Sequence, residues 1–272
     1  MTALYIIFGT LLTLFILYFL LLRCRHGHKR LAQLQGWDYA HRGLHGNGVP
    51  ENSMEAFRLA LEGGYGIELD VHLMADGQLA VIHDSSLKRT AGADVCIEDL
   101  TVADLAAYRL EGTDEAIPLF KDVMALYEGK APMIVELKPE RGNHAALSKA
   151  VCEILEDYQG IYCLESFDPR VIHWLRKNWP CQCRGQLSEN FFRSPKSKLA
   201  PYLKFVMTHL LANFLVVPDF VAYKFADRKH LGVWMARHLW GAQGVTWTVR
   251  SQEDHDTAKK EGWLVIFEGY RP

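Results

Sequence analysis

The chain lacks the features that would mark a nucleic-acid binder, a disulfide scaffold or a dinucleotide enzyme. Thirty Lys and Arg stand against 32 Asp and Glu, a formal charge of −2. Apart from one cluster the basic residues are spread, so no long basic face is available to neutralise a string of phosphates, and the charge gives no electrostatic reason to expect nucleic acid as a partner. The six cysteines, Cys24, Cys96, Cys152, Cys163, Cys181 and Cys183, share no repeated spacing. Cys181 and Cys183 are separated by a single residue, too close for a zinc knuckle, so all six read as ordinary thiols of a reducing compartment. No G-x-G-x-x-G turn follows the first strand-like run at 37–42, which argues against an open dinucleotide-binding sheet. Internal repeats and low-complexity linkers are missing as well.

Charge is missing altogether from Thr2 to Leu22. About twenty apolar residues in helical rise cross a hydrocarbon core of about 30 Å, so this run is expected to be a transmembrane helix. A secretory signal peptide fits less well, because no charged segment precedes the run and no small-x-small pattern follows it. Arg23, Arg25, Lys29 and Arg30 come directly after it. The bias of Lys and Arg toward the cytoplasmic side then predicts a single-pass membrane protein with everything downstream in the cytoplasm. Residues 1–30 are expected to form the anchor and its basic juxtamembrane segment, and 31–272 one catalytic-size domain.

What is abundant is alternation. Strand-like runs at 37–42, 66–72, 133–138, 161–167, 182–187, 220–225, 244–249 and 263–268 are separated by helix-length segments near 52–62, 117–129, 143–158, 169–178, 199–214, 227–240 and 252–261. Eight strands alternating with helices predict an α/β fold, a (β/α)8 TIM barrel whose site lies at the C-terminal ends of the strands. A small insertion follows the second strand: Asp76-Gly77 predicts a tight hairpin turn, and 84–116 an excursion before the barrel resumes. The stretch 199–217 is more apolar than an outer barrel helix needs to be. It is expected to be buried against the barrel, with an interfacial membrane helix as the alternative.

Glu68 and Asp70 are two residues apart on a predicted strand, so their side chains share one face. With Ile67, Leu69 and Val71 on the other face, the carboxylates are expected to point into the barrel. Glu136 and Lys138 repeat the pattern on the following barrel strand. Buried carboxylates are costly unless neutralised, and an all-oxygen set suits Ca²⁺ or Mg²⁺, with Mn²⁺ also fitting, rather than zinc. A purely structural ion-pair network would use the same groups. His41 and His83 end strands beside this cluster, and histidine is the side chain best matched to proton transfer near neutral pH. Arg42 offers a planar fork of donors and Lys138 a point charge, both suited to phosphate oxygens. Asn52 or Ser53 is expected to cap the helix that begins there.

These residues also carry a resemblance. His41-Arg42-Gly43, Pro50-Glu51-Asn52-Ser53, Glu68-Leu69-Asp70-Val71, Asp76-Gly77, His83-Asp84 with Arg89-Thr90, and Glu136-x-Lys138 resemble, in order and spacing, the glycerophosphodiester phosphodiesterase family, in the form of a membrane-anchored bacterial-type member. The resemblance implies a TIM-barrel hydrolase that releases an alcohol from a glycerophosphodiester and leaves sn-glycerol 3-phosphate. By motif position it makes His41 and His83 the general acid/base pair, Glu68, Asp70 and Glu136 the ligands of one divalent cation, and Arg42 and Lys138 the phosphate binders. Glu51 and His72 are expected to support the site from behind, and Trp247 to form a wall of the substrate pocket. The alternatives are cleavage of membrane lysophospholipids by a lysophospholipase D reaction and a non-catalytic barrel that binds phosphodiesters. The chain ends on Phe267-Glu268-Gly269-Tyr270-Arg271-Pro272, where such families close on Thr-Asp-x-Pro, and Glu268 is the candidate to replace that acid.

Overall fold

A computed structural model describes residues 1–195 and 197–272. Strands β1 (Asp38–His41) and β2 (Gly66–Leu73) are followed by a short β3 (Leu79–Val81) that pairs antiparallel with the end of β2. β4 (Met133–Leu137), β5 (Tyr162–Ser166), β6 (Arg184–Ser188), β7 (Phe220–Lys224), β8 (Gln243–Val249) and β9 (Trp263–Phe267) then continue in parallel. β9 pairs with β1, and β1 with β2, so the eight parallel strands close into the expected barrel. Parallel strands covered on both faces must be apolar nearly throughout, and β4, Met-Ile-Val-Glu-Leu, is buried at every position.

The outer layer comprises α3 (Met54–Glu62), α5 (Phe120–Tyr127), α6 (His144–Leu155), α7 (Pro169–Asn178), α8 (Pro201–Thr208), α9 (Asn213–Val216), α10 (Leu231–His238) and α11 (Gln252–Lys260), with a single turn, α4 (Lys88–Ala91), in the excursion. Local chemistry sets their starts. The Ser53 hydroxyl accepts from Ala56 N–H at the head of α3, Asp168 accepts from Arg170 N–H ahead of Pro169, and Ser251 accepts from Asp254 N–H ahead of α11. α3 then buries Ala56, Phe57 and Ala60 against the barrel. The hairpin turn falls at Gly77, φ +80°, and the excursion encloses a small core of its own around Ile82, Leu87, Ile97 and Leu110.

Alternating strand residues divide the interior. Ile67, Leu69, Val71 and Val135 face the helices, while Tyr39, Ile134, Val245 and Ile266 fill the lower lumen. The lumen is therefore apolar toward the strand N-termini and becomes charged one layer higher.

The N-terminal helix α1 (Thr2–Leu21) has mean hydropathy 2.5 and no buried residue. It is long and apolar enough for a membrane span, a test that a signal sequence passes too. Its last turn touches the barrel: the Phe19 ring stacks on Trp240 at 4.7 Å, and Trp240 Nε1 donates to Phe19 O at 2.8 Å. Leu22 and Cys24 are buried behind it. Arg25 then clamps Asp219 and donates to Gln182 O at 2.9 Å, and α2 (Lys29–Leu34) covers the strand N-termini.

Two expectations shift. The strand expected at 182–187 lies at Arg184–Ser188. The single helix expected at 199–214 is two, α8 and α9, broken at Leu210, φ +57°. Barrel side chains hold the break by taking up carbonyls at the end of α8: Ser188 Oγ donates to Met207 O at 2.7 Å and the Tyr223 hydroxyl to Thr208 O at 2.9 Å.

Candidate active site

β1 ends in His41 and turns sharply through Arg42 (φ +55°) and Gly43 (φ +80°). A Cβ on Gly43 would sit 2.8 Å from the Ala56 backbone, so only glycine lets the turn lie against α3. The turn aims the Arg42 N–H at Glu68 Oε2, 3.2 Å away. Of the two candidate caps, Ser53 caps α3, whereas Asn52 (φ +53°) reaches inward and donates from Nδ2 to Asp70 Oδ2 at 2.9 Å.

Glu68, Asp70 and Glu136 are buried and bring carboxylate oxygens within 4.8 Å of one another. Lys138 Nζ lies 2.9 Å from Glu136 Oε1 and 3.1 Å from Asp70 Oδ1, and Arg42 Nε lies 3.4 Å from Asp70 Oδ2. A fourth buried acid, Glu165, is opposite Glu136 in the β4–β5 register. Four carboxylates thus share two cations. Burial, reinforced by Asp70 and Glu136, pushes the Glu68 carboxyl well above its ordinary range. Burial also opposes the charge on Asp70, but Lys138, His83, Arg42 and the Asn52 amide outweigh it and hold Asp70 well below. Glu136 is raised by burial against the pull of Lys138, and Lys138 itself is raised by Asp70 and Glu136 against burial.

The cluster is left short of positive charge. Asp70 Oδ1 accepts no well-directed hydrogen bond, and Glu165 Oε2 has no partner either. Buried, oxygen-only groups with acceptor capacity left over fit one hard divalent cation. A second grouping, His41, His45 and Glu268, also brings donor atoms within 4.8 Å, but His41 Nδ1 is already committed to Glu268 Oε2 at 2.7 Å.

That commitment orients the imidazole. With Nδ1 held by Glu268, Nε2 turns toward the cluster, 3.8 Å from Glu68 Oε2. Burial lowers the pKa of His41, with the Glu268 bond opposing, so the neutral base is favoured. The His41 bond in turn holds Glu268 down at about 2, and Arg250 Nη2 donates to the same carboxylate at 2.9 Å. His83 is oriented in the same manner. Its Nδ1 meets Asp84 Oδ1 at 2.6 Å, and Asp84 is held by Arg89 Nε at 2.5 Å. Glu51 ties the two histidine loops together through Arg89 Nη2 at 2.6 Å and Arg42 Nη1 at 2.9 Å. His72 lies behind the hairpin, with Nδ1 on Glu98 at 2.6 Å and Nε2 3.2 Å from the His83 carbonyl.

A narrow pocket of about 50 Å³ reaches the cluster between His41, His83, Glu136, Phe167 and Trp247. It adjoins a wider cavity of about 360 Å³ bordered by His83, Glu136, Lys138 and Phe167. Trp247 packs edge-on to Phe167 at 5.5 Å.

Residues 41–267 match the model of the glycerophosphoryl diester phosphodiesterase family. The chain belongs to that family. Over 130 residues it is 38% identical to the glycerophosphodiester phosphodiesterase of Bacillus altitudinis, a match covering 44% of this chain and 53% of that protein. Over 133 residues it is 34% identical to lysophospholipase D GDPD1 of Rattus norvegicus, covering 44% of this chain and 41% of that one. The chain thus spans about half the length of the curated relatives it matches. An Oleispira antarctica phosphodiesterase, solved in complex with the product sn-glycerol-3-phosphate, shares the fold at TM-score 0.73 and 21% identity, over 91% of this chain and 96% of that one.

The structure gathers His41, Arg42, Glu51, Glu68, Asp70, His83, Glu136, Lys138 and Trp247 at one end of the barrel, with His72 behind the hairpin. The sequence did not signal Glu165, a lone acid in an apolar strand. Asn52 was visible only as a cap.

Proposed function

We propose that this chain is a membrane-anchored phosphodiesterase that uses one divalent cation to hydrolyse glycerophosphodiesters to sn-glycerol 3-phosphate and an alcohol. Residues 1–30 form its anchor and basic juxtamembrane segment, 31–272 its catalytic domain, and the domain lies on the cytoplasmic side. The observation that carries the reading is the pair of imidazoles at one acidic pocket, each fixed through Nδ1 by its own carboxylate. A binding module has no use for two oriented proton carriers, whereas phosphodiester cleavage needs one proton removed from the nucleophile and one delivered to the leaving alkoxide.

Glu68, Asp70 and Glu136 would hold the cation, which when bound supplies Lewis-acid charge stabilisation at a phosphate oxygen. Ca²⁺ and Mg²⁺ both suit the donor set, and Mn²⁺ as well. Arg42 and Lys138 turn part of their donor capacity from the carboxylates to the phosphate. One imidazole accepts the proton of the attacking hydroxyl as the new P–O bond forms. Attack by water gives the monoester directly, and attack by a neighbouring substrate hydroxyl gives a cyclic phosphate that a second step, attack by water, opens to the same monoester. The other protonates the alkoxide as its P–O bond breaks. Glu268 and Asp84 stabilise each imidazolium while it carries the proton. Phe167 and Trp247 wall the site against bulk water.

One observation favours a second reading, a lysophospholipase D reaction. An apolar groove of about 890 Å³, walled by Phe191, Leu199, Leu203 and Met207, runs from Phe167 along α8, and a single acyl chain suits it. The two readings are separated by assaying the full chain in detergent with glycerophosphocholine, glycerophosphoethanolamine, glycerophosphoglycerol and lysophosphatidylcholine, with Mg²⁺, Ca²⁺ or chelator. The full chain is needed because Leu22, Cys24 and Arg25 pack on the barrel. Turnover of the water-soluble diesters supports the first reading and turnover of lysolipid alone the second. Metal-supplied protein inert toward all four would overturn both.

A further inference from the structure

Outside the active site, the largest unexplained feature is a ring of exposed apolar side chains where α1 leaves the barrel. On α8, Tyr202 and Phe205 are 69% and 51% exposed, three residues apart and so on one helix face. On α10, Leu231 and Trp234 repeat that spacing at 59% and 49%. On α9, Phe214 and Leu215 are 44% and 48% exposed. Monomeric proteins seldom leave so much contiguous apolar surface without a partner.

The three helices converge on α1. The Phe205 ring lies 4.4 Å from His209, His209 lies 4.6 Å from His230 at the head of α10, and Tyr18 of α1 packs edge-on to His209 at 6.3 Å. α8 and α10 also begin at the C-terminal ends of β6 and β7, the end of the barrel that carries the active site. Charge follows the same distribution. Among the described residues Lys198 and Lys204, before and within α8, and Lys229, beside the head of α10, form no ion pair, whereas Lys224 is held by Glu189 and Arg228 by Glu261.

The geometry points to a membrane-contact face: the exposed sides of α8, α9 and α10 rest on the surface of a phospholipid bilayer containing anionic lipid, beside the inserted α1. The continuity with α1 selects this occupant. A 20-residue helix of mean hydropathy 2.5 brings lipid to the point where these side chains are exposed. Aromatic rings at an interface with basic neighbours match the headgroup region, where apolar burial and attraction to anionic lipid act together. Because α8 and α10 begin on the side of the strand C-termini, a bilayer along their exposed sides flanks the catalytic mouth.

The test reads fluorescence and requires no turnover, so it stands apart from the catalytic assignment. The full chain is reconstituted into vesicles of phosphatidylcholine and phosphatidylglycerol, with or without brominated acyl chains, which quench nearby tryptophan. Brominated lipid is expected to remove a larger share of the emission from the wild type than from Trp234→Phe. The emission added by Phe205→Trp should be quenched at least twofold more than that added by Val102→Trp, which reports from the excursion across the barrel and is also exposed. Equal quenching of wild type and Trp234→Phe would overturn the proposal, including when a second copy of the chain covers Trp234. So would equal quenching of the two added tryptophans.

Discussion

The two ends of the barrel treat buried charge in opposite ways. At the strand N-termini, Asp219 is fully buried, clamped by the Arg25 guanidinium and bonded by the Arg184 N–H at 3.0 Å. Arg184 Nη2 donates to Val217 O at 3.0 Å, so the charges there are matched to partners. At the C-termini, Glu68, Asp70, Glu136 and Glu165 share Arg42 and Lys138, and two of their oxygens have no hydrogen-bond partner. One end is finished, and the other is arranged for charge that arrives from outside. A buried pair stabilises only when its desolvation is fully offset, so the N-terminal end should govern stability and the C-terminal end activity.

The comparison can be broken at several points. Removing the divalent cation with chelator should abolish turnover while the far-ultraviolet circular dichroism stays native; unchanged turnover would remove the acidic cluster from catalysis. His41→Ala and His83→Ala should each lower kcat by about 10²–10⁴-fold with an unchanged melting temperature. A comparable loss of stability in either variant would mean that the imidazoles are structural. Asp219→Ala should do the reverse, costing about 1–3 kcal/mol in a denaturant titration because the half-buried Arg25 guanidinium and the buried Arg184 N–H lose their acceptor, with kcat kept in the folded fraction. Glu268→Ala should lower kcat by about 10–100-fold, with activity partly restored by Glu268→Gln, which can still accept from His41 Nδ1. Glu165→Gln should move stability by no more than about 1 kcal/mol, since burial already holds that carboxyl well above its usual range; a cost of several kcal/mol would show that Glu165 is ionised and paired.

Much of this was legible in the chain. Strands such as β4 and β9 were readable because a parallel strand buried on both faces is nearly all apolar, and Glu68-x-Asp70 and Glu136-x-Lys138 stood out against that background, whereas the polar β6, Arg-Gly-Gln-Leu-Ser, was expected two residues early. The motif histidines marked the two imidazoles that the structure fixes at the pocket, each through Nδ1 by its own carboxylate. Glu268 gained a definite partner only through the closure of β9 on β1, which brings it to a histidine 227 positions away. Glu165 lacked any patterned neighbour and became informative only through the β4–β5 register. The break at Leu210 was hidden because apolar periodicity runs straight through it, while the carbonyl acceptors that hold it are reached by Ser188 and Tyr223 from the barrel.

The joint between α1 and the barrel has a kinetic consequence. Phe19 on Trp240, buried Leu22 and the Arg25–Asp219 clamp follow one another within seven residues, leaving no slack for a swivel. With α1 in a bilayer, the pocket keeps a fixed height and heading above the leaflet. Its encounter rate with a lipid would then scale with molecules per unit area of that leaflet, and dilution of the surrounding solution would leave it unchanged.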